Sequence, residues 1–318
     1  EKFKESIMMG RTHGQHALPT TLGFKFAVWT REVSRSIQRL RDCRERLLVG
    51  KMSGAVGTQA GLGPKALKIQ HLVMKKLGIE ASDISTQINQ RDRYAEFTCI
   101  IAIAASTVDN MASEIRELQR PEIGEAFEPF GRKQVGSSTM PHKRNPIICE
   151  RICGLAKILR SLVSAALENI PTWHERDLTQ SSCERFVIPE ECILIDYILV
   201  LITRVMEGLE VDEERMLHNM ELTQGRMMSE AVMLSLGNRG MGRQKAHELV
   251  RELAIKSHTE QRPFKIALLE NYVVQKLLNK KEIEEILNPR NYLGTTLQQI
   301  EQVVKKTRNE RRDRGLSD

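Results

Sequence analysis

The chain has 318 residues, of which 41% are hydrophobic and 28% charged, and it carries a net charge of +7. This length buries a sizeable core and admits two domains, and the composition excludes a disordered or fibrous chain. Aromatic residues make up only 4%, while Leu, Ile, Glu, Lys, Arg and Met are abundant, which favours helix over sheet.

The first ten residues, EKFKESIMMG, are polar and of mixed charge and do not read as a signal peptide. A continuous periodic stretch, GFKFAVWTREVSRSIQRLRDCRERLL, predicts one long amphipathic helix over 23–48. GAVGTQAGLGPK is glycine-rich but lacks both a preceding strand and the GK[ST] ending, so it reads as a loop without a nucleotide motif. PKALKIQHLVMKKLG then predicts a helix with Pro64 at its first position and Gly78 as its stop. RDRYAEFTCIIAIAASTVDNMASEIRELQR is apolar through its middle, as expected of a helix surrounded by others, and ends before Pro121.

Residues 121–142 show no sustained periodicity and several Gly and Pro residues, which predicts a long mobile loop. Two more helices follow, PIICERICGLAKILRSLVSAALENI, stopped by Pro171, and PEECILIDYILVLITRVMEGL. The apolar run Cys192–Ile202 inside the second is interrupted by Asp196 and is too short to span a bilayer, so no membrane partner is expected. After about Val211 the helices become shorter and more polar, with breaks at LGNRGMG and LNPRNYLG. No credible strand alternation is present. The expected fold is all-α, with a long-helix domain over 1–210, the irregular loop of about 121–142 within it, and a smaller helical domain over 211–318.

The six cysteines form no CxxC pair. Cys149 and Cys153 share a helix face, a spacing that suits packing better than zinc, and reduced thiols point to the cytosol. Basic residues are spread among acidic neighbours without interleaved aromatics, which argues against nucleic acid. The basic tail KKTRNERRDRG reads as a solvated helix end.

Three clusters are candidates for chemistry. In VGSSTMPHKRNPIICE, Asn145 is placed to cap a helix and Pro146 to occupy its first turn. That sets Lys143 and Asn145 beside the positive end of a long helix, where free backbone N–H groups and a cation would hold a carboxylate. Glu150 lies about one turn in, and Gly136, Ser137 and Ser138 precede it in the loop. The bland reading, a linker with an ordinary cap, fits those local features equally well. In GRTHGQHALPTTLG, His13 and His16 have no carboxylate or cysteine partners for zinc, and a histidine titrating near neutral pH is a ready proton donor or acceptor. In WHERDLTQSSCER, Arg176, Ser181, Ser182 and Arg185 could converge on a phosphate. Alone, such residues are more often ion-paired surface groups.

Taken together, the clusters shift the balance. GSSTMPHKRNP and GRTHGQHALPTTLG resemble, in order and spacing, two segments of the fumarase/aspartase superfamily. GKMSGAVGTQA, QINQRDRYAE and WHERDLTQSSCER narrow the resemblance to its adenylosuccinate lyases. The resemblance implies β-elimination of fumarate from a succinyl-amine of purine biosynthesis, by a cytosolic homotetramer whose sites are shared between subunits, with no cofactor or metal.

By that resemblance Ser137 is the general base and His13 the general acid, with Glu150 holding the histidine charged and oriented. Lys143 and Asn145 stabilise the charge that builds on a carboxylate. Thr12, Gln90 and Arg151 contact substrate, and Arg176, Ser181 and Arg185 anchor the phosphate of a nucleotide. The family's N-terminal segment, with its Thr/Ser-Ser-x-Asp-like signature, has no counterpart here, so the chain alone is expected to turn over little or not at all.

Two other readings remain. A carboxymuconate cycloisomerase would share the serine loop but not the phosphate anchor. A non-catalytic helical scaffold would be expected to have lost several of His13, Ser137, Lys143, Asn145 and Glu150, and all are present.

Overall fold

The computed structural model describes residues 1–131, 139–140 and 142–316. The chain divides into two compact units. One comprises residues 31–119 and 127–210, and the other residues 1–30, 120–126 and 211–318.

The first unit is built from long helices. Helix α1 spans Leu22–Leu47, with residues 31–47 in this unit, α2 Ala66–Leu77, α3 Asp92–Leu118, α4 Ile147–Glu168 and α5 Thr179–Glu207. Small residues line the faces along which α3, α4 and α5 pack. Ala95, Ala105 and Ala112 on α3 and Ala156 and Ala166 on α4 are buried, as are Ile115, Ile152, Leu159 and Ile198. Each such isoleucine or leucine contributes roughly 1.5–3 kcal/mol through burial. A short parallel pair, β3 (Val49–Gly50) with β4 (Glu80–Ala81), flanks α2. Among the described residues no helix is long and apolar enough to cross a membrane.

Helix α5 begins ten residues before the start expected at Pro189. Pro189 sits inside it, where its missing N–H leaves the carbonyl one turn back without its helical donor. Asp177 supplies the actual start signal, accepting from Thr179 N–H at 2.7 Å and from Trp173 N–H at 2.7 Å. These bonds and that from the Thr179 hydroxyl hold its carboxyl below the usual range, the hydroxyl contributing most.

The second unit opens with a hairpin that the sequence pattern concealed. Strands β1 (Ile7–Thr12) and β2 (Gln15–Thr21) pair antiparallel, with Thr12 opposite Gln15 and a register shift between Met9 and Arg11. Alternation is missing because Ile7, Met8 and Met9 are all buried. Gly10 marks the bulge, where a Cβ would stand 2.7 Å from the Leu18 carbonyl oxygen. His13 and Gly14 form the two-residue turn with φ of 54° and 71°, the left-handed pair such loops require.

Shorter helices complete this unit: α6 (Glu213–Glu221), α7 (Ser229–Asn238), α8 (Arg243–Thr259), α9 (Phe264–Glu270), α10 (Tyr272–Leu277), α11 (Lys280–Ile286) and α12 (Thr296–Asp313). Phe264, Leu236, Leu268, Val250 and Ile283 form its main core. Polar side chains cap α6, α10 and α11. Asp212 accepts from Arg215 N–H at 2.8 Å, and Asn279 forms a reciprocal capping box with Glu282.

Candidate active site

Of the residues singled out above, Ser137 and its neighbours Gly136 and Ser138 lie outside the described residues, as do Arg132–Val135 and Pro141. The described start of the expected loop is held by side chains of α6. The Arg215 guanidinium donates to the Ile123 carbonyl at 3.0 Å and to that of Glu122 at 3.2 Å, and Asn219 Nδ2 donates to Ile123 O at 2.8 Å.

Thr12 and His13 are exposed at the tip of the hairpin. The strand below them is locked by Arg11. Its guanidinium makes a two-point contact with Glu125 at 2.7 and 2.8 Å, and Glu125, fully buried, also accepts from Asn219 Nδ2 at 2.8 Å. A buried carboxylate with three donors is well compensated. The same pair acts on His16, whose pKa is lowered first by burial and then by the Arg11 charge, with Glu125 opposing. His16 is thereby kept neutral near pH 7, leaving His13 as the accessible imidazole of the segment.

Lys143 and Glu150 are exposed and Asn145 half-buried, in the turn before α4 and in its first turn. Lys143 N–H donates to Met140 O at 3.0 Å. The expected cap differs from the one observed. Pro146 rather than Asn145 occupies the cap position, and no side chain at that position caps the helix. The amino end of α4 is not free either: the Glu128 carboxylate accepts from Ile148 N–H at 3.0 and 3.1 Å and from Cys149 N–H at 2.9 Å. The carboxylate expected there from a ligand is thus supplied by the chain itself. The helix terminus is therefore not open to a ligand carboxylate.

Burial, and next the Glu128 charge, push the Cys149 thiol far up. Cys153 is shifted the same way, chiefly by burial. Both are inert packing groups, as their spacing suggested. Among the described residues no cluster of His, Cys, Asp or Glu could hold a metal ion.

Gln90, Arg176, Ser181 and Arg185 are gathered around the start of α5, whereas Arg151 is not. Ser181 and Arg185 lie one turn apart on one helix face, near the amino end, where backbone N–H groups lack helical partners. Arg176 lies in the turn before it, its Nη1 donating to Gln87 Oε1 at 3.0 Å. Arg185 and Arg176 are exposed and Ser181 half-buried. The segment bearing Gln90 is tied to the same helix by Arg91, which forks onto Glu184. Arg151, in the first turn of α4, donates to the Tyr197 hydroxyl at 3.1 Å. Gln90, Arg176, Ser181 and Arg185 therefore belong to one fixed part of the long-helix unit.

Sequence reasoning missed the groups that hold these residues: Glu128, Arg11, Glu125, Asn219, Arg91 and Glu184. Arg11 and Arg91 stand beside named candidates in GRTHGQH and NQRDR, and that adjacency was a usable signal. No spacing rule links Glu128 to a helix beginning nineteen residues later.

Comparison with known proteins adds an independent line. Residues 1–159 match the profile of a family described as lyase, and residues 225–303 match that of the adenylosuccinate lyase C-terminus. The adenylosuccinate lyase of Methanocaldococcus jannaschii is 47% identical over 98% of this chain and 68% of its own length. That of Pyrococcus abyssi is 51% identical over 96% of this chain and 67% of its own. The chain thus spans about two thirds of the length of these relatives. Among solved structures, a 3-carboxy-cis,cis-muconate lactonizing enzyme from Pseudomonas putida superposes with a TM-score of 0.88 at 34% identity, covering 97% of this chain and 68% of that one. With the adenylosuccinate lyases nearer in sequence than this neighbour in structure, the chain belongs to the adenylosuccinate lyase family of the fumarase/aspartase lyases.

Proposed function

We propose that the protein catalyses the β-elimination of fumarate from adenylosuccinate, giving AMP. By the same cleavage it would convert the succinyl-carboxamide imidazole ribotide to the aminoimidazole carboxamide ribotide in purine biosynthesis. The difficulty of this reaction is removing a proton from carbon next to a carboxylate, which adds negative charge to a group already charged. Lys143 and Asn145 are the groups proposed to face that charge. Ser137, assigned from its place in the GSSTMPHKRNP motif, removes the proton. His13, presented on a turn anchored by Arg11, protonates the departing nitrogen, with Glu150 as the carboxylate that keeps it charged. Thr12, Gln90 and Arg151 contact the substrate.

The observation that carries this reading is the grouping of two arginines and a serine at the start of α5. Arg185 and Ser181 share one face there, and Arg176 is fixed by Gln87 in the preceding turn. Guanidinium forks and a hydroxyl are means by which a phosphate is held, the amino end of α5 itself being occupied by Asp177. A nucleotide substrate needs that anchor, and a carboxymuconate does not. Six free cysteines, one of them exposed, fit the cytosol, where thiols stay reduced.

We also propose a homotetramer with active sites shared between subunits. Phe186, Ile193 and Val200 recur along one side of α5 and are 79%, 62% and 58% exposed, an apolar stripe that a second copy would cover. Sedimentation at micromolar concentration should give a mass of four chains. A monomer at that concentration would remove the shared-site proposal.

The test of function follows the loss of adenylosuccinate absorbance with the whole protein. Ser137→Ala should bind substrate and fail to turn it over. Arg185→Ala should raise KM by roughly ten- to a hundred-fold, the worth of a charge-assisted hydrogen bond, while a substrate lacking the phosphate should not distinguish it from wild type. A Ser137→Ala protein near full rate would sink the base assignment. An Arg185→Ala protein with unchanged KM would sink the nucleotide assignment.

A further inference from the structure

Glu128 is 2% exposed and Gln119 is 8% exposed, and neither is among the residues proposed to face the substrate. Their hydrogen bonds form a closed set around the turn that carries Lys143 and Asn145. The Glu128 carboxylate takes the N–H groups of Ile148 and Cys149 at 2.9–3.1 Å. The Glu128 N–H donates to Gln119 Oε1 at 3.0 Å, and Gln119 Nε2 donates to the Arg144 carbonyl at 3.1 Å. One glutamine at the end of α3 thus fixes both the carboxylate that seats α4 and the peptide between Lys143 and Asn145. The Arg144 side chain is directed elsewhere, over the Phe130 ring at 5.1 Å and toward Glu210 at 3.7 Å.

A long helix needs its first N–H groups satisfied, and a serine, threonine or aspartate at the cap position usually does this. Here Pro146 is at that position and offers no side-chain oxygen. The task falls to a charged group from a segment far away in sequence. A buried carboxylate beside a site meant for a dicarboxylate phosphate works against substrate binding unless its charge is consumed locally. The two N–H groups and the positive helix end consume it.

We propose that Glu128 and Gln119 are positioning residues for the elimination. Together they seat the Lys143–Asn145 turn and the first turn of α4, and they make Lys143, rather than the helix terminus, the cation presented to the substrate carboxylate. This rests on the functional reading above.

The test uses the whole protein with Glu128→Gln, which keeps the shape and removes the charge, and with Gln119→Met, which removes both clamps. Each should lower kcat ten-fold or more with KM changed less than about three-fold, because the interaction weakened is one made chiefly as charge develops. Adding Lys143→Met to Glu128→Gln should cost much less than Lys143→Met costs in wild type, since the lysine is already displaced. Amide hydrogen exchange over 142–150 should rise in both variants, while exchange in α5 stays unchanged. A helix cap without a catalytic role would instead lower the melting temperature, leave kcat within two-fold, and let the Glu128 and Lys143 effects multiply. That result overturns the proposal. Unchanged exchange over 142–150 overturns it whatever the turnover. A wild-type protein that releases no fumarate overturns the functional reading, and the catalytic half of this proposal with it, while the exchange data still decide the anchoring.

Discussion

Arg91 forks onto Glu184, Nε to Oε1 at 2.5 Å and Nη2 to Oε2 at 3.1 Å, with each side chain only about 15% exposed. A third donor, Nη1, reaches the Asn89 carbonyl at 2.6 Å, and the guanidinium lies over the Tyr94 ring at 5.4 Å. The pair joins the turn bearing Gln90 to the part of α5 bearing Ser181 and Arg185.

This pair is expected to matter more for binding than for overall stability. Being partly exposed, it falls between a surface bridge worth under about 1 kcal/mol and a buried one whose rupture costs about 3 kcal/mol or more. Arg91→Lys keeps the charge and loses the two-point geometry. It should raise KM for the nucleotide several-fold while leaving kcat nearly intact and costing about 1 kcal/mol in a urea titration. An Arg91→Lys protein with wild-type KM would show that the turn is held by other contacts.

The buried pair of Arg11 and Glu125 has larger stakes. Glu125 is fully enclosed and accepts three hydrogen bonds, two from Arg11 and one from Asn219. Glu125→Gln leaves the Arg11 charge half-buried without its partner and should cost about 3 kcal/mol or more. Denaturant titration measures that directly. Replacing both partners at once, Arg11→Met with Glu125→Leu, should cost less than Glu125→Gln alone, because no charge is then stranded. If the double replacement is the worse of the two, desolvation is not what governs this pair.

The contrast among these residues explains what could be read from the sequence. The long helices were legible because their apolar period is carried by each segment alone. Ala95 to Leu118 needs no partner to announce a buried helix. The hairpin was not legible, since Ile7, Met8 and Met9 are consecutively buried and its turn is His13-Gly14 rather than Asn-Gly. Pro189 misled for a related reason: proline usually opens a helix, whereas here Asp177 had already opened α5 before it. The candidate residues stood out through their motifs. Their supports were not, because Glu128 and Glu125 act through contacts set only when distant segments have folded together. Lys143 and Asn145 were correctly placed beside the amino end of α4, but the sequence could not reveal that Glu128 already occupies it.

Glu191 gives a prediction that separates folding from function. It lies on α5, fully buried, with neither oxygen in a well-formed hydrogen bond. Burial pushes its carboxyl up to about 7 from an ordinary 4.5, and the Thr98 hydroxyl works weakly the other way. The folded chain therefore holds a proton that the unfolded chain releases between about pH 4.5 and 7. In that window the unfolded state binds fewer protons, so stability falls as pH rises. Below about 4.5 both states are protonated, and above about 7 both are ionised, so the loss is then complete. At about 1.4 kcal/mol per pH unit, its full size is roughly 3 kcal/mol. Glu191→Gln, which cannot ionise, should match wild type near pH 4.5 and exceed it progressively up to about pH 7.5. The measurement is the difference in unfolding free energy between the two proteins across that range, which cancels other titrating groups. A difference that does not change with pH would mean that the Glu191 carboxyl is not held protonated by its burial among the helices.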